Sequence, residues 1–597
     1  MLHGTIFGTI FYPLGLMACV FGVYSLKKSF QQLNGFVWLI LSFLITIAMG
    51  GIVAGLISPL HIPVNLYSMG IVYFVLAGIL FYFIKKEGKR QSYVWEKYDL
   101  ILLVGITLGM VIILIKQFSP ALNYCYYNTD AGLHLKEATL IVRSQKVTMM
   151  YFMHLQNAMV IEMVSPFVRT ADLFKGYILG DWFFFLVETL FFAALIRGFL
   201  KTMATKVFGI VILIAYTLGY PYFGYYYSFG YWAMGAMYVG FLVLALRLYE
   251  EALVERKYTV FMLMLGCFGV ITSYMLFAPM AFLAVFFYLA VLAKREGKIF
   301  ALKNVWLSLK VFLLPTIYGL CYCLYGFFIS SGTSISGALG NQGGIYTELY
   351  MDFFWTLFPV LFVLVSTLKQ KKLTPEVTFF LAFFLFTAGL LALTLTHHVS
   401  TYYYYKSYFP LWMFAWVLTL IGVGMMLREA KETLFAYCLL IAGFAGLCFG
   451  KVEYRIVTST ENITGAMHSP EFFTLYQFNG FLFRQHLAGL DQSLLDLYQV
   501  VIDDLSEEKM VPLMTEEHDY GATYVYEGVS GYDFPDFYEW RHTREELRQA
   551  YKDWDIHYTV MLKGSDFEKQ HGEKVLKEKN VEIYMENESG YILSVKP

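Results

Sequence analysis

Residues 126–137 read YYNTDAGLHLKE, and the interpretation of the whole chain depends on this stretch. It follows a long apolar run and opens the longest polar interruption in the apolar part of the chain. Asp130, His134, Lys136 and Glu137 place an acid, an imidazole, a base and a second acid within eight residues. Apolar runs of membrane-spanning length flank the region on both sides, so we expect the stretch to lie at a membrane surface.

The composition excludes an ordinary soluble protein. Of the 597 residues, 58% are hydrophobic and 15% are charged, and the mean hydropathy is +0.56. Soluble globular proteins are about 45–50% apolar and about 25% charged. We therefore predict a mainly α-helical, polytopic transmembrane bundle that contacts membrane lipid and binds no nucleic acid.

The apolar runs predict about fourteen spans, since each is near the length that crosses a bilayer. The predicted spans are 5–25, 36–57, 66–84, 98–116, 178–197, 206–220, 231–247, 258–273, 277–293, 305–329, 348–367, 377–396, 407–427 and 432–450.

Lysine and arginine are concentrated in alternate loops. The positively charged loops carry Lys27, Lys28, Lys85, Lys86, Lys89, Arg90, Arg197, Lys201, Lys206, Arg256, Lys257, Lys294, Arg295, Lys298, Lys369, Lys371, Lys372, Arg428 and Lys431. The short loops 58–65, 217–230, 274–279 and 330–347 contain neither residue type. Cytoplasmic loops are enriched in lysine and arginine. We therefore expect the N-terminus, the loop 117–177 and the C-terminal region to be extracytoplasmic in a multi-pass protein of the cell membrane.

The loop 117–177 is too polar to span the membrane and too apolar to extend freely into water. Residues 149–164 mix apolar side chains with His154, Gln156, Asn157 and Glu162. This pattern predicts a helix in the outer membrane interface, with its polar face toward water.

Composition changes abruptly after Gly450, from apolar to charged. We therefore divide the chain into a transmembrane domain, 1–450, and a soluble extracytoplasmic domain, 451–597. The second domain is predicted to be a small α/β unit. Its predicted helices are Arg544–Trp554 and Phe567–Lys579, and its predicted strands are Ile556–Leu562, Val581–Met585 and Tyr591–Val595.

Two interpretations of Asp130 remain open. Asn128, Thr129 or Asp130 could cap a helix by accepting its free N–H groups. If a helix starts here, His134 also lies on the same face one turn later, with Glu137 close by. A carboxylate beside an imidazole can take a proton from a sugar hydroxyl, a step worth about 10²–10⁴ in rate.

A second cluster, residues 397–406, reads HHVSTYYYYK. It is either an aromatic belt with incidental histidines or a pocket for a lipid phosphate, in which His397, His398 and Lys406 would donate to anionic oxygens. This is the only short outer loop with a lysine or arginine, and a cation there runs against the charge bias, which favours a specific role for Lys406. Further candidate substrate-binding residues in the large loop are Glu137, Arg169, Asp172 and Lys175.

The aromatic run 220–229 could stack on sugar rings or line a lipid groove, although an aromatic belt is the simpler interpretation. Glu188 is an acid within a span and therefore a functional candidate. The sequence has no phosphate-binding Gly-Lys-Thr loop, no His-Glu-x-x-His motif and no closely spaced cysteine quartet. No metal ligands are assigned, and a divalent metal is not indicated.

This combination of features resembles the GT-C glycosyltransferases: a many-span core, an acid in a large outer loop, interfacial helices there and an outer α/β domain. The stretch NTDAGLHL, residues 128–135, is similar to an Asp-x-x-x-His segment of bacterial GT-C-like proteins. The tail, from Asp555–Tyr558 through Gly590–Leu593, is similar to their soluble domains. The likeness covers most of the chain as architecture and few residues as motif.

The resemblance implies an enzyme, a hexosyl or pentosyl transferase of cell-envelope glycan biosynthesis. It would invert the sugar carbon while moving a sugar from a polyprenyl-phosphate donor to a hydroxyl of a glycan, lipid or protein. Asp130 would be the general base and His134 would orient it or contact substrate. Arg169, His398 and Lys406 would stabilise the departing phosphate.

Three alternatives remain. A transporter or flippase for lipid-linked glycans would carry polar residues through its spans and often a repeat between its halves. A non-catalytic scaffold would use the outer α/β domain to bind a partner, with Asp130 only a cap. A glycan polymerase or ligase would use the same donor chemistry.

Overall fold

A computed structural model describes residues 4–26, 33–87, 93–126, 130–147, 152–226, 230–297, 302–323, 353–396, 398–399, 401–452, 490–514, 520–532, 549 and 551–596. These residues are mostly helical, and a small sheet lies in the C-terminal region.

The helices of the apolar part follow the apolar runs of the sequence. They are α1 (Ile6–Ser25), α2 (Gly35–Ile57), α3 (Leu66–Glu87), α4 (Lys97–Phe118), α5 (Asp130–Ser144), α6 (Phe152–Val164), α7 (Phe174–Arg197), α8 (Met203–Thr217), α9 (Tyr220–Tyr226), α10 (Gly230–Glu250), α11 (Arg256–Tyr274), α12 (Ala278–Arg295), α13 (Leu302–Cys323), α14 (Phe354–Gln370), α15 (Pro375–Leu395), α16 (Thr401–Lys406), α17 (Tyr408–Glu429) and α18 (Lys431–Val452).

Polar side chains fix where several of these helices begin. Thr5, Asn34, Thr202 and Thr374 each precede a helix, and each side-chain oxygen accepts the backbone N–H of the residue three positions later. Such caps satisfy N–H groups that have no partner within the helix. The apolar residues that follow then continue the helix through the hydrocarbon, where backbone groups must bond internally.

Every predicted span overlaps a helix, although residues 324–329 and 348–352 of two predicted spans lie outside the described residues. Ten stretches of the described chain are long and apolar enough to cross a membrane, and one of them contains both α11 and α12. A short 3-10 turn, Met275–Phe277, separates these two helices. Helices α8 and α14 are apolar but shorter. The chain is a multi-pass membrane protein.

Burial separates central from peripheral helices. In an apolar stretch of 18 residues within each span, the buried share of residues is 83% around α7, 89% around α10 and 78% in α17, against 22% in α3 and 17% in α13. The three central helices therefore form the core of the bundle. Helices α3 and α13 present most of their side chains outward.

Charged groups define two ends of the bundle. One end, called the basic end here, contains Arg197, Lys206 and Arg247, which pair with Glu96, Asp99 and Glu376. Helices α5 and α6 lie at the opposite end, called the site end. Asp181 and Arg197 on α7 mark the two ends and lie about 24 Å apart along the helix axis, at 1.5 Å per residue.

The two helices of the large loop are present, but their polar faces do not meet water. His154, Gln156, Asn157 and Glu162 of α6 are at most 4% exposed. The prediction of a water-facing polar side was therefore wrong. These side chains are covered because α6 packs against α1, α3, α5, α7, α10 and α11 rather than lying free on the surface.

The C-terminal sheet has the strand order β1-β2-β4-β3. Its elements are α19 (Gln492–Asp504), β1 (Leu513–Met514), α20 (Tyr520–Ser530), β2 (Tyr558–Leu562), α21 (Glu573–Leu576), β3 (Val581–Glu586) and β4 (Gly590–Val595). The three predicted strands are β2, β3 and β4. The predicted helix 567–579 is a π-helical segment, Glu568–Gly572, followed by α21. Most of the predicted helix Arg544–Trp554 lies outside the described residues.

Strand β1 was not predicted. It pairs in parallel with β2, and Leu513 lies opposite Val560. Strand β4 pairs antiparallel with both β2 and β3, so it fills the middle of the sheet. The parallel pairing requires a long connection between β1 and β2, and that connection contains α20.

Candidate functional site

Helix α5 begins at Asp130, so a helix does start in the stretch where the sequence offered Asn128, Thr129 or Asp130 as its cap. Residues 127–129 and the Asp130 side chain lie outside the described residues, and the roles of Asp130 as cap or base stay predictions. The helix continues without a break through His134, which follows Asp130 by one turn. Residues four positions apart share one face of a helix, so these two residues share a face of α5.

His134 faces a second histidine that the sequence did not predict as a site residue. His134 Nδ1 lies 3.0 Å from Nε2 of His154, on α6. The two side chains are buried, with 6% and 2% exposure. A hydrogen bond between two neutral imidazoles needs one N–H and one lone pair, so the two tautomers are linked.

Burial keeps this histidine pair uncharged. It lowers the pKa of His154 to about 3. Burial also lowers the pKa of His134 well below its ordinary value, and the neighbouring His154 and Lys406 lower it further. Both rings are therefore neutral at physiological pH.

Lys406 was predicted as a site residue, and it is an electrostatic neighbour of His134. It ends the short helix α16 and is 5% exposed. Its ammonium group lies 4.7 Å from the ring centre of Trp232, 5.4 Å from that of Tyr274 and 5.7 Å from that of Tyr403. Aromatic faces attract a cation, so these rings help to hold a positive charge in the interior.

Asp181 on α7, an acid that was not a predicted site residue, lies near the start of α10 and beside Tyr126. Tyr126, just before the opening of α5, donates its hydroxyl to Asp181 Oδ2 on α7 at 3.0 Å. Asp181 is 2% exposed. A Cβ added to Gly230 would lie 2.8 Å from both Asp181 Oδ1 and Met153 Sδ. The start of α10 therefore comes close to α6 and α7 here because residue 230 has no side chain.

The N-terminal helices hold α6 in place. The Leu66 N–H, at the start of α3, donates to Glu162 Oε2 at 3.1 Å. Tyr12 on α1 donates its hydroxyl to Gln156 Oε1 at 3.3 Å. Burial raises the pKa of Glu162 to about 7, although its bond from Leu66 opposes this shift.

The C-terminal region holds α5 from the other side. A Cβ added to Gly132 would lie 2.3 Å from Cβ of Tyr524 on α20, and one added to Gly528 would lie 3.0 Å from Leu135 Cγ. Each helix thus contributes a glycine to a close crossing. Arg143, near the end of α5, also donates to the Val529 carbonyl.

Arg169, Asp172 and Lys175 form an ion-pair cluster. Asp172 contacts Arg169 at 2.8 Å and Lys175 at 3.1 Å. Arg169 also contacts Asp496 of α19 at 2.7 Å. The cluster connects the end of the large loop to the C-terminal region, and the predicted substrate-binding roles of Arg169 and Asp172 stay predictions.

The other predicted site residues are placed as follows. His398 is exposed, and its Nδ1 lies 3.1 Å from Thr396 Oγ1. His397 lies outside the described residues. Glu137 is half-buried on α5, and its predicted role also stays a prediction.

Tyr225 of the aromatic run and Glu188 pack inside the bundle. Tyr225 of α9 is 2% exposed and stacks on Phe185 of α7 at a ring distance of 4.8 Å. Glu188 is 3% exposed and accepts the Tyr216 hydroxyl at 2.9 Å. Within the described ranges, no group of three or more His, Cys, Asp or Glu side chains has a geometry that could hold a metal ion.

Comparison with known proteins gives little beyond this geometry. No family model and no curated protein matches the sequence. Two solved structures are similar to this chain: ArnT from Cupriavidus metallidurans bound to undecaprenyl phosphate, and ArnT from the same organism in the apo state. Their identities are 10% and 12% and their TM-scores 0.46 and 0.45, over 83% of this chain and 97% of theirs. Likeness at this level says nothing about substrate or residue roles.

Proposed function

We propose that the protein transfers a sugar, with inversion, from a polyprenyl-phosphate donor to an acceptor hydroxyl at the outer face of the cytoplasmic membrane. The observation that carries this proposal is the group formed by Lys406, His134 and His154 beside a helix that begins at Asp130. It combines a buried cation with neutral imidazoles at the end of the bundle opposite the basic end.

The orientation of the site is part of the proposal. The basic end carries the lysine and arginine residues that the charge bias assigns to the cytoplasm. The site end and the C-terminal residues 451–597 would then be extracytoplasmic, as would the N-terminus. A lipid-linked donor would reach the site from the outer leaflet.

In the proposed step, the Asp130 carboxylate takes the proton of the acceptor hydroxyl. The acceptor oxygen forms a bond to the anomeric carbon while the bond from that carbon to the phosphate oxygen breaks. The electron pair of the broken bond goes to the phosphate. The products are an inverted glycoside, a polyprenyl phosphate and a protonated Asp130.

Lys406 supports this step because negative charge grows on the departing phosphate. A cation that is already desolvated and fixed in position stabilises such charge more strongly than one in water. The neutral histidines complement this role. His134 can donate its Nε2 N–H to a phosphate oxygen, while its Nδ1 accepts from His154, without adding a second positive charge near the base.

The experiment is sugar transfer by the purified full chain in nanodiscs, with a panel of polyprenyl-phosphate sugars. Asp130→Asn keeps the size of the side chain and its capping ability but removes the basic carboxylate. We expect transfer to fall by about 10²–10⁴. The matched control is Asp491→Asn, which alters another aspartate at a helix start, before α19.

Full activity of Asp130→Asn would return that residue to the role of a helix cap. No transfer by the wild-type protein across the panel, with retained binding of the carrier lipid, would favour a transporter for lipid-linked glycans instead.

A further inference from the structure

The histidine pair has a consequence for the protonation of the site. We propose that His154 is a positioning residue that holds His134 as a neutral imidazole of one tautomer beside the predicted base. This inference rests on the proposed function for its catalytic meaning, but not for its structural content.

The geometry restricts what His134 can do. Its Nδ1 and His154 Nε2 are 3.0 Å apart, and their ring centres are 5.1 Å apart. Two protonated rings would place two N–H groups against each other, which the short distance forbids. One of these two nitrogens must therefore carry a hydrogen and the other a lone pair, so the tautomer of each neutral ring determines that of the other.

The environment of His134 also disfavours a positive charge on its ring. Among the described residues, the charged and titratable groups near α5 include His154 on α6, Lys406 on α16, Asp181 on α7 and Glu527 on α20, with Lys136, Glu137 and Arg143 on α5 itself. Lys406 opposes a second positive charge at His134, and burial lowers the pKa of both histidines. Glu527 is engaged by Lys136 at 2.9 Å.

A neutral His134 matters because it lies one turn from Asp130. An imidazolium at that place would stabilise the carboxylate and make it a weaker base. A neutral ring leaves the basicity of Asp130 intact over the physiological pH range. Burial, with His154 and Lys406, keeps the ring uncharged, and His154 fixes which of its nitrogens carries the proton without touching the substrate.

The first test is magnetic resonance of the full chain in nanodiscs with isotope-labelled histidine. The chain has 12 histidines, and the signals of the pair are assigned by their loss in His134→Gln and His154→Gln. We expect both rings to stay neutral from pH 8 to pH 5, each as one tautomer, with a correlation across the Nδ1–Nε2 hydrogen bond. Titration of wild-type His134 near its ordinary value, or two tautomers in exchange, would overturn the inference.

The second test compares two variants. His154→Leu removes the hydrogen-bond partner but leaves the burial and Lys406, so His134 should stay uncharged while exchanging between its two tautomers. We expect kcat to fall about tenfold at every pH with little change in KM, because only one tautomer presents the Nε2 N–H. His154→Gln restores an amide near the position of Nε2 and should restore the single tautomer and kcat. In His134→Gln, which has no tautomer to fix, adding His154→Leu should change kcat little.

The outcomes separate the two proposals. If the wild-type rings behave as expected but no donor sugar is transferred, the positioning role of His154 stands and the proposed function fails. If transfer occurs and His154→Leu leaves both the His134 tautomer and kcat unchanged, the positioning role fails and the proposed function stands. If His154→Leu does not fold, the wild-type spectra alone decide.

Discussion

Lys136 Nζ lies 2.9 Å from Glu527 Oε2, although 391 residues separate the two in the chain. Lys136 belongs to α5, two residues after His134, and Glu527 belongs to α20 of the C-terminal region. The Glu527 side chain is 1% exposed. The C-terminal region therefore contacts the helix that begins with the predicted base, and it does so through a buried charge.

The first prediction concerns this ion pair. Lys136→Met leaves the Glu527 carboxylate buried without its cation, and this should lower the free energy of unfolding by about 3–5 kcal/mol. Replacing both residues, as Lys136→Met/Glu527→Leu, removes the stranded charge and should recover most of the loss. Thermal unfolding of the four members of this cycle measures the coupling.

An exposed pair provides the control for that cycle. Lys509 and Asp555 are 3.1 Å apart, with 78% and 55% of their side chains exposed. Lys509→Met should change stability far less than Lys136→Met, because water screens the pair. Equal losses in Lys136→Met and Lys509→Met would show that the α5–α20 contact does not depend on the buried charge.

The second prediction concerns Gly132. Its replacement by alanine would bring Cβ within 2.3 Å of Tyr524 Cβ, so α5 and α20 must separate. We expect Gly132→Ala to destabilise the protein by about 1–3 kcal/mol and to increase hydrogen exchange in both helices. Gly78→Ala on α3, where nothing lies within 4 Å, should instead be neutral or about 1 kcal/mol stabilising. Equal effects of the two changes would contradict the close crossing.

Much of the fold could be predicted because the membrane imposes a local rule. Each span is a continuous apolar run, so its position depends on its own residues and not on distant partners. The same holds for β2, β3 and β4, whose strand patterns and turn at Glu588–Gly590 are local. Strand β1 has only two residues, Leu513 and Met514, and gives no comparable pattern.

One candidate site residue conflicts with a pattern that is visible in the sequence. Lys406 is a lysine among short loops that otherwise carry no lysine or arginine, and it lies near His134. His154 fitted the pattern of a water-facing polar side and was assigned to it. Its partner lies 20 residues earlier on another helix, and no local signal reveals that contact.

Two further residues show the same limit. The role of Arg169 as a phosphate ligand stays a prediction, and its ion pair with Asp496 joins residues 327 positions apart, so no local pattern indicates it. Asp181 could have been found, because the rule that an acid within an apolar span is a functional candidate applies to it as well as to Glu188.

The third prediction concerns Glu162, whose pKa burial raises from its ordinary value of 4.5 to about 7. Between these values the folded protein binds more protons than the unfolded chain, so stability should fall as pH rises from 4.5 to 7 and then level off. The full effect is roughly 3 kcal/mol. Glu162→Gln keeps an acceptor for Leu66 N–H and should stabilise the protein at pH 8 far more than at pH 5.

The thermal midpoint in nanodiscs at both pH values measures this effect. The control is Glu96→Gln, where the hydrogen bond from Lys206 and then that from Arg197 hold the pKa of the acid below its ordinary value. That change should have the opposite sign and destabilise the protein at pH 8. A Glu162→Gln variant as sensitive to pH as the wild type would show that Glu162 does not ionise with a raised pKa.

The last prediction concerns Lys406. Lys406→Met keeps much of the side-chain length and its contact with Trp232 and Tyr274 but removes the charge. If the ammonium stabilises the departing phosphate, kcat should fall by about 10²–10³, which is the loss typical of one group that stabilises charge in a transition state. The thermal midpoint should change little, because a cation beside aromatic rings contributes about 0.5–2 kcal/mol.

Lys146→Met, which alters an exposed lysine at the site end, is the matched control and should leave kcat unchanged. A donor with a better leaving group separates the two roles of Lys406. Such a donor needs less stabilisation of the departing oxygens, so it should restore much of the activity of Lys406→Met. A loss of the same size with both donors, together with a lower thermal midpoint, would assign Lys406 to packing between α10, α11 and α16 rather than to chemistry.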